Sequence, residues 1–335
     1  MISVLAKTLP RIDLHRHLDG NLRLETVLDL ARRHRVSLPA DDVEGLRPHL
    51  QIREPEPALP AFIAKVELMV SVLGDEEACR RVAYENVEDA SREGLAHVEL
   101  RFSPLFMARA HGLRPERVVA SVVEGAEEGA RAFDISMKLI GILSRTFGPE
   151  AATLELEAIL AHKKHVTALD LAGDEAKWPG EHFIPHFRRG RDAGFRITVH
   201  AGEAAGAESV WQAIRDLGAE RLGHAVRAAE DPALLDYIAK QEIGIESCLT
   251  SNVQTRTVPS YQSHPLSSFL ERGLLASINT DDPSVSGIDL AHELTAAAEA
   301  AGLTESDIRK AQRNAVATAF LSAEEKKGLL APGRA

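Results

Sequence analysis

The sequence has few cysteines, few aromatic residues and no long apolar run. Cys79 and Cys248 are the only cysteines among 335 residues, and aromatic residues make up 4% of the chain. Two cysteines so far apart indicate no disulfide framework, and no CxxC pair is present for metal or redox chemistry. No run of about 18 apolar residues occurs, so we expect no membrane-spanning helix.

Basic residues are also in the minority. Lysine and arginine total 39, aspartate and glutamate total 50, and the formal net charge is −11. A protein needs a basic face to bind phosphates, so we expect neither a nucleic acid nor an anionic membrane as a partner. Residues 1–13 lack the apolar segment and cleavage site of a signal peptide, which predicts a cytoplasmic protein.

Strand-like and helix-like segments alternate along the chain. Most strand-like runs are followed by a stretch in which apolar residues recur with the spacing of an amphipathic helix. Eight strands that alternate with helices predict a parallel sheet closed into a (β/α)8 TIM-type barrel, an α/β fold in which residues 1–335 form one domain. The eight runs are residues 11–18, 97–104, 137–143, 166–173, 196–203, 221–226, 243–250 and 275–282.

One interval is too long for a single crossover between neighbouring strands. Residues 19–96 separate the first two predicted strands and contain several helical patterns. We therefore predict a helical insertion after strand 1. Insertions at this end of a barrel strand lie on the catalytic face, so its helices form either a lid or a stabilising buttress.

Metal-binding residue types occur on strand 1 and at the ends of strands 5 and 8. His15 and His17 are two residues apart on strand 1, so their rings point to the same face, here into the barrel. His200 and Asp281 end strands 5 and 8. Each residue alone reads more simply as part of a satisfied core or loop, but three histidines and one aspartate at one end of a barrel match a catalytic zinc site.

The same end of the barrel carries a spare acid and a spare imidazole. Glu203 follows strand 5, and His224 ends strand 6. Strand 4 has no lysine of the kind that bridges two metals after carbamylation, because the nearest lysines, Lys163 and Lys164, precede it. The sequence therefore predicts one Zn²⁺ per chain.

Seven short motifs occur in order along the chain. Together they resemble the adenosine deaminase family of the amidohydrolase superfamily, and most closely its bacterial members, over about residues 8–325. The motifs are HRHLDG (15–20), ELRFSP (99–104), LDLAGDE (169–175), VHAGEA (199–204), RLGHAV (221–226), ESCLTSN (246–252) and SINTDDP (277–283).

The resemblance implies zinc-dependent hydrolysis of adenosine, and of 2′-deoxyadenosine, to the inosine nucleoside and ammonia. Glu203 would give a proton to purine N1, and His224 would orient the attacking water and help to deprotonate it. The implied zinc ligands are His15, His17, His200 and Asp281.

The resemblance also implies contacts with a small purine nucleoside. Asp282 would bond N7, the backbone N–H of Gly173 would contact N3, and Asp19 would hold the ribose 5′-hydroxyl, with His17 beside it. An apolar gate over the nucleoside would come from Phe62, Ile63 and Val66.

Two alternatives stay open at this point. Adenine deaminases of this type tend to carry glutamate in place of Asp19, so HRHLDG favours a ribose-bearing substrate over adenine or aminodeoxyfutalosine, but on one residue only. The other alternative is an inactive relative that binds without catalysis. Ala225 replaces the usual family glycine after His224 and would be strained if φ there is positive. The sequence does not indicate the oligomeric state.

Overall fold

The computed structural model describes residues 9–55 and 59–330. Most of residues 1–13, on which the predicted cytoplasmic location rests, therefore lies outside the described residues. Eight parallel strands are hydrogen-bonded in sequence order. They are β1 (Ile12–His17), β2 (His97–Phe102), β3 (Ser136–Ser144), β4 (Ala168–Ala172), β5 (Arg196–Ala201), β6 (Arg221–His224), β7 (Gly244–Ser247) and β8 (Leu275–Ile278).

Main-chain hydrogen bonds close the sheet into a barrel just beyond β8. The N–H of His17 donates to the carbonyl of Asp281, and the N–H of Asp281 donates to the carbonyl of His15, both at 2.8 Å. The predicted (β/α)8 barrel is confirmed. Most strands end before the predicted residue because their polar carboxyl ends pass into loops.

Helices separate the strands along the chain. Two π-helical segments, Ala213–Leu217 and Glu293–Ala297, continue the helices that precede them. Among the described residues, no helix is both long enough and apolar enough to span a membrane. The α-helices are α1 (Leu24–His34), α2 (Val43–Leu50), α3 (Leu59–Val70), α4 (Glu76–Arg92), α5 (Pro104–Ala108), α6 (Pro115–Phe133), α7 (Pro149–Ala161), α8 (Ile184–Asp192), α9 (Ala207–Gln212), α10 (Pro232–Lys240), α11 (Leu249–Gln254), α12 (Leu266–Glu271), α13 (Pro283–Ser286), α14 (Leu290–His292), α15 (Ala298–Ala300), α16 (Glu305–Thr318) and α17 (Ala323–Leu329).

Local sequence explains the bounds of a typical barrel helix. Helix α6 begins at Pro115, whose fixed φ suits the first helical position, and buries Val118, Val122 and Ala126 on one face. It ends at Asp134, which adopts the left-handed conformation and donates its N–H to Ala130.

The insertion between β1 and β2 contains α1, α2, α3 and α4. Val27 of α1 and Val82 of α4 belong to the same buried apolar cluster as Val98 of the barrel. Phe62 of α3 lies at the rim of a cleft at the carboxyl ends of the strands. The insertion thus contains both a buttress and a wall of the cleft.

Candidate active site

A cleft of about 650 Å³ lies at the carboxyl ends of the strands. All but one of the site residues predicted from the sequence line it. The exception is His15, which is fully buried and is not among the lining residues. The lining residues predicted above are His17, Asp19, Gly173, His200, Glu203, His224, Asp281 and Asp282.

Carboxylates fix the orientation of two predicted ligands from behind. Nδ1 of His15 lies 2.8 Å from Glu246, and Nδ1 of His200 lies 3.0 Å from Asp170. A hydrogen on Nδ1 of each ring satisfies its carboxylate and leaves the lone pair of Nε2 free. Metal-binding histidines are held in this way by a carboxylate on the opposite nitrogen.

The Nε2 atoms converge on the carboxylate of Asp281. Oδ1 of Asp281 is 3.1 Å from Nε2 of His15 and 3.4 Å from Nε2 of His17, and the Nε2 atoms of His17 and His200 are 3.3 Å apart. Within the described residues, the buried Nε2 of His15 has no hydrogen-bond partner despite that short contact. A buried ring nitrogen that has no hydrogen-bond partner, close to a carboxylate and to two further imidazoles, fits a cation between these groups, so the residues present suit a metal ion.

The geometry leaves the choice of the fourth ligand open. The ligand atoms of His15, His200, His224 and Asp281 all lie within 4.8 Å of one another, whereas His17 groups in this way with Asp281 and Asp282. The predicted ligand set that includes His17 therefore stays a prediction.

The protein environment sets the protonation of these rings. Burial, with Arg101 nearby, lowers the pKa of His15, and burial lowers the pKa of His200 to about 3 although Asp170 opposes it. Both rings are therefore neutral, as ligands must be. Burial also acts to lower the pKa of His17, but neighbouring carboxylates, among them the hydrogen-bonded Asp19 and Asp281, outweigh it and raise the value to about 9, so a metal there competes with a proton.

A buried network of charges beneath the ligands was not predicted from the sequence. The guanidinium of Arg101 donates to Asp170 at 2.8 Å and to Glu246 at 2.7 Å, and that of Arg221 donates to Glu246 at 2.6 Å and to Glu99 at 2.5 Å. The arginines balance the carboxylates that orient His15 and His200. The only sequence signal is the alternation of polar and apolar residues along β2 and β4.

Glu203 lies in a buried position that favours the neutral acid. Burial raises its pKa to about 7, although His224, whose Nε2 is 3.8 Å away, acts to lower it. A carboxyl group with this pKa can hold a proton near neutrality and give it up to a substrate.

A second buried glutamate holds the loop that carries Glu203. Glu175 was quoted above in the motif LDLAGDE without a role. Its carboxylate accepts five hydrogen bonds, four of them from consecutive backbone N–H groups, and so fixes the path of the chain after β5. The donors are Gly202 N at 2.7 Å, Glu203 N at 3.1 Å, Ala204 N at 2.7 Å, Ala205 N at 2.9 Å and Ser209 Oγ at 2.5 Å.

The opposite side of the cleft fits a polar heterocycle. Gly173 has φ of 113°, and a Cβ there would lie 2.3 Å from Oγ1 of Thr146, so only glycine suits this position. Burial raises the pKa of Asp282 well above its ordinary value, and Asp281 adds to the rise while His17 opposes it. A protonated Asp282 can donate a hydrogen bond to a ring nitrogen.

Three residues of this site have a strained backbone. His224, Ala225 and Asp281 have φ of 60°, 49° and 69°, values that residues with a Cβ rarely adopt. The sequence predicts a strained backbone at Ala225 if its φ is positive. Its φ is positive, and its side chain is fully buried. Two successive left-handed residues turn the chain at His224 and aim its ring at the cleft.

Apolar side chains form the outer wall. Phe62, Ile63 and Val66 of α3 line the cleft as predicted, and Phe106 of α5 joins them without having been predicted.

Asp19 accepts from the backbone N–H of Ser103 at 2.9 Å through Oδ2. Within the described residues, its buried Oδ1 has no hydrogen-bond partner.

Comparison with known proteins agrees with this geometry. The family profile described as adenosine deaminase matches residues 10–332. The chain is 59% identical over 327 residues to an adenosine deaminase of Klebsiella pneumoniae (strain 342), covering 98% of each protein.

Solved structures show the same fold. An adenine deaminase from Arthrobacter aurescens has a TM-score of 0.89 and 26% identity, covering 96% of this chain and 97% of the other. An amidohydrolase from Burkholderia ambifaria, solved with bound Zn, has a TM-score of 0.84 and 26% identity, covering 97% of this chain and 89% of the other. The match to the family profile over nearly the whole chain and the high identity to a full-length relative show that this chain belongs to the adenosine deaminase family of hydrolases that act on C–N bonds.

Proposed function

We propose that this chain hydrolyses the 6-amino group of adenosine, and of 2′-deoxyadenosine, to give the inosine nucleoside and ammonia. The observation that carries the substrate assignment is the 59% identity to the Klebsiella adenosine deaminase over 98% of both chains. The cleft adds support, since its lining includes the acids and the glycine with which a polar purine and a ribose could pair.

We propose one zinc ion per chain, held by His15, His17, His200 and Asp281. The support is the convergence of the Nε2 atoms on Asp281 and the relative solved with bound Zn. When bound, zinc supplies a Lewis acid that lowers the pKa of water to about 7. Nitrogen and carboxylate ligands around a site that borders an open cleft suit this role.

Proton transfer falls to Glu203. Its raised pKa leaves the carboxyl group protonated in part near neutral pH, so it can give a proton to purine N1 and make C6 electrophilic. His224 faces the same part of the cleft and orients the water that attacks C6. The amine leaves from a tetrahedral carbon, and the products are inosine and ammonia.

The remaining side chains select the substrate. A protonated Asp282 donates to N7, and the backbone N–H of Gly173, a residue that lines the cleft without a side chain of its own, contacts N3. The unsatisfied Oδ1 of Asp19 accepts a hydrogen bond from the ribose 5′-hydroxyl. Adenine lacks that hydroxyl and leaves the buried oxygen with only its 3.4 Å contact to Nδ1 of His17, so we rank adenine below adenosine.

The partner in this proposal is a free nucleoside. The expectation of a cytoplasmic location rests on residues 1–13, and the expectation of no nucleic-acid or membrane partner rests on composition and charge. Both stay predictions. An inactive relative is the weaker alternative, because the site contains every implied ligand and both implied proton-handling groups.

An ultraviolet assay of the purified protein tests the proposal with adenosine, 2′-deoxyadenosine, adenine and aminodeoxyfutalosine. We expect turnover of the two adenosine nucleosides. Glu203→Gln should lower kcat by a factor on the order of 10²–10⁴ without loss of metal, because an amide cannot protonate N1. Glu208→Gln, an exposed change on α9, is the matched control and should leave kcat unchanged.

Metal analysis completes the test. One zinc per chain is expected, and a reproducible two would refute the mononuclear site. Near-normal turnover by Glu203→Gln would refute the proton-donor role, and turnover of adenine in preference to adenosine would refute the substrate assignment.

A further inference from the structure

The ring of His224 ends a chain of hydrogen bonds that begins at a backbone amide. The N–H of Leu266 donates to Nδ1 of His264 at 3.2 Å. Nε2 of His264 lies 3.1 Å from Oδ1 of Asn252, and Nδ2 of Asn252 lies 3.1 Å from Nδ1 of His224. Asn252 and His264 are both buried, and the sequence motifs assign neither residue a role.

The hydrogen bond from Leu266 to His264 fixes the direction of the one between His264 and Asn252. A backbone N–H can only donate, so Nδ1 of His264 accepts and carries no hydrogen. A neutral imidazole has one hydrogen, which must therefore be on Nε2, where it is donated to Oδ1 of Asn252. Burial lowers the pKa of His264 to about 3, which keeps this ring neutral.

The hydrogen bond between His264 and Asn252 fixes the direction of the one between Asn252 and His224. With Oδ1 of Asn252 accepting from His264, its NH2 group faces His224 and donates to Nδ1. Turning the amide by half a revolution would place its NH2 group against the Nε2–H of His264, so two donors would meet in a buried place. The opposite amide orientation is therefore disfavoured.

We infer that Asn252 and His264 are positioning residues that hold His224 as the tautomer with its hydrogen on Nε2, directed into the cleft. The inference rests on the proposed function for its catalytic meaning. Nε2 of His224 lies 3.8 Å from Oε2 of Glu203 and 4.0 Å from Oδ2 of Asp281, so the hydrogen points toward the reacting groups.

This tautomer defines what His224 can do. A ring nitrogen that carries a hydrogen has no lone pair for a metal ion or for a proton from water. His224 therefore donates a hydrogen bond to the oxygen that attacks C6 and stabilises the negative charge that develops there, in place of the proton acceptor expected from the sequence. The proton of the attacking water then goes to the carboxylate of Glu203, which is left unprotonated once Glu203 has given its own proton to N1. It also follows that His17, and not His224, completes the ligand set.

The tautomer can be read directly from the enzyme as purified. Protein labelled with ¹⁵N in its histidine rings is studied by NMR through two-bond couplings between ring hydrogens and nitrogens, with the His224 signals assigned by their absence in His224→Gln. We expect a protonated Nε2 and an unprotonated Nδ1 in the wild-type protein. A His224 ring protonated on Nδ1 would overturn the inference, whether or not the protein turns over adenosine.

Asn252→Asp tests the positioning role with an almost isosteric side chain. A carboxylate can only accept, so the hydrogen of His224 should move to Nδ1. We expect kcat to fall by a factor on the order of 10² or more with KM changed little, because a catalytic histidine held in the wrong tautomer loses most of its effect. An unchanged tautomer and an unchanged kcat in this variant would refute the role of Asn252.

Two further variants separate positioning from general stability. His264→Gln keeps a donor for Oδ1 of Asn252, so it should retain the tautomer and keep kcat within about tenfold of wild type. Asn314→Asp makes the same substitution at another buried asparagine, which donates to backbone carbonyls of Leu274 and Ala276. It should leave the tautomer of His224 unchanged, and a change of tautomer there would show that destabilisation alone moves the hydrogen.

Discussion

Replacing Glu175 by glutamine tests how the loop after β5 is held. The carboxylate accepts from four consecutive backbone N–H groups and one hydroxyl through its two oxygens. Glutamine has the same shape but only one acceptor oxygen. The amide of glutamine can be placed in two orientations, and the better one puts its oxygen at the position of Oε2, where it keeps three of the donors. The new NH2 group then takes the position of Oε1 and faces the N–H of Gly202, which lies 2.7 Å from Oε1 in the wild type.

The cost of this substitution has three parts. The N–H of Gly202 loses its buried acceptor, at about 1–3 kcal/mol. The three retained bonds change from a charged to a neutral acceptor, at about 1 kcal/mol each. Burial of an amide in place of a carboxylate recovers about 2 kcal/mol. We expect Glu175→Gln to lower the free energy of unfolding by about 2–4 kcal/mol.

The same change should reduce activity, because the displaced amides include that of Glu203. A shift of about 1 Å in a catalytic group costs on the order of 10²-fold in rate. Urea unfolding followed by circular dichroism measures the stability, and the ultraviolet assay with adenosine measures kcat. Asp174→Asn is the matched control, because its side chain caps only the N–H of Lys177, at 3.1 Å, and asparagine caps equally well. A Glu175→Gln variant within 1 kcal/mol and threefold of wild type would refute the reasoning.

Two further predictions concern strain and acid stability. Ala225→Gly should change the free energy of unfolding by less than about 1 kcal/mol, since relief of left-handed strain is offset by the flexibility of glycine in the unfolded chain and by the lost buried methyl group. Glu99→Gln should flatten the fall in stability with acid. Burial opposes ionisation of Glu99, but Arg221 outweighs it and lowers the pKa from 4.5 to about 2. Because the folded pKa lies below the unfolded one, the ionised group stabilises the fold above about pH 4.5, and about 3 kcal/mol is lost as the pH falls toward 2.

Each of these predictions has a contrasting variant measured by urea unfolding. Ala225→Val places a β-branched residue at the same positive φ and should destabilise by at least about 2 kcal/mol, so equal effects of glycine and valine would contradict the strain argument. For Glu99→Gln, urea unfolding at pH 6 and pH 3 gives the change in the free energy of unfolding between the two pH values. Glu208→Gln should show the same change as the wild type, and a Glu99→Gln variant that does so too would count against a buried ionised Glu99.

The barrel was predictable because each of its strands carries a local signal. All eight predicted runs overlap a strand, and the helix-like spacing of apolar residues over 115–133 coincides with α6. The helix-like stretch at residues 207–218 is less regular in the structure, since α9 passes into a π-helical segment at Ala213–Leu217. Spacing of apolar residues does not distinguish one helical hydrogen-bond pattern from another over so short a stretch.

The candidate site was predictable where residues lie at strand ends, because parallel strands bring those ends to one face. The groups behind the site were not. Arg101 of β2 reaches Asp170 of β4 and Glu246 of β7 across the interior, and such pairs depend on the tilt and register of strands that are not neighbours. Asn252 and His264 could not be predicted for a similar reason. Polar residues that form a buried chain of hydrogen bonds cannot be distinguished, in the sequence, from polar residues of an exposed loop.

The closure of the barrel has a consequence for how the protein is made. Asp281 follows the last strand, yet its main chain is bonded to that of His15 and His17 near the beginning of the sequence. A ribosome must therefore synthesise the chain from β1 through β8 before His15 and His17 meet their carboxylate partner. Products truncated before Asp281 would lack one of the proposed metal ligands, and a metal ion bound there would link β1 to the segment that follows β8.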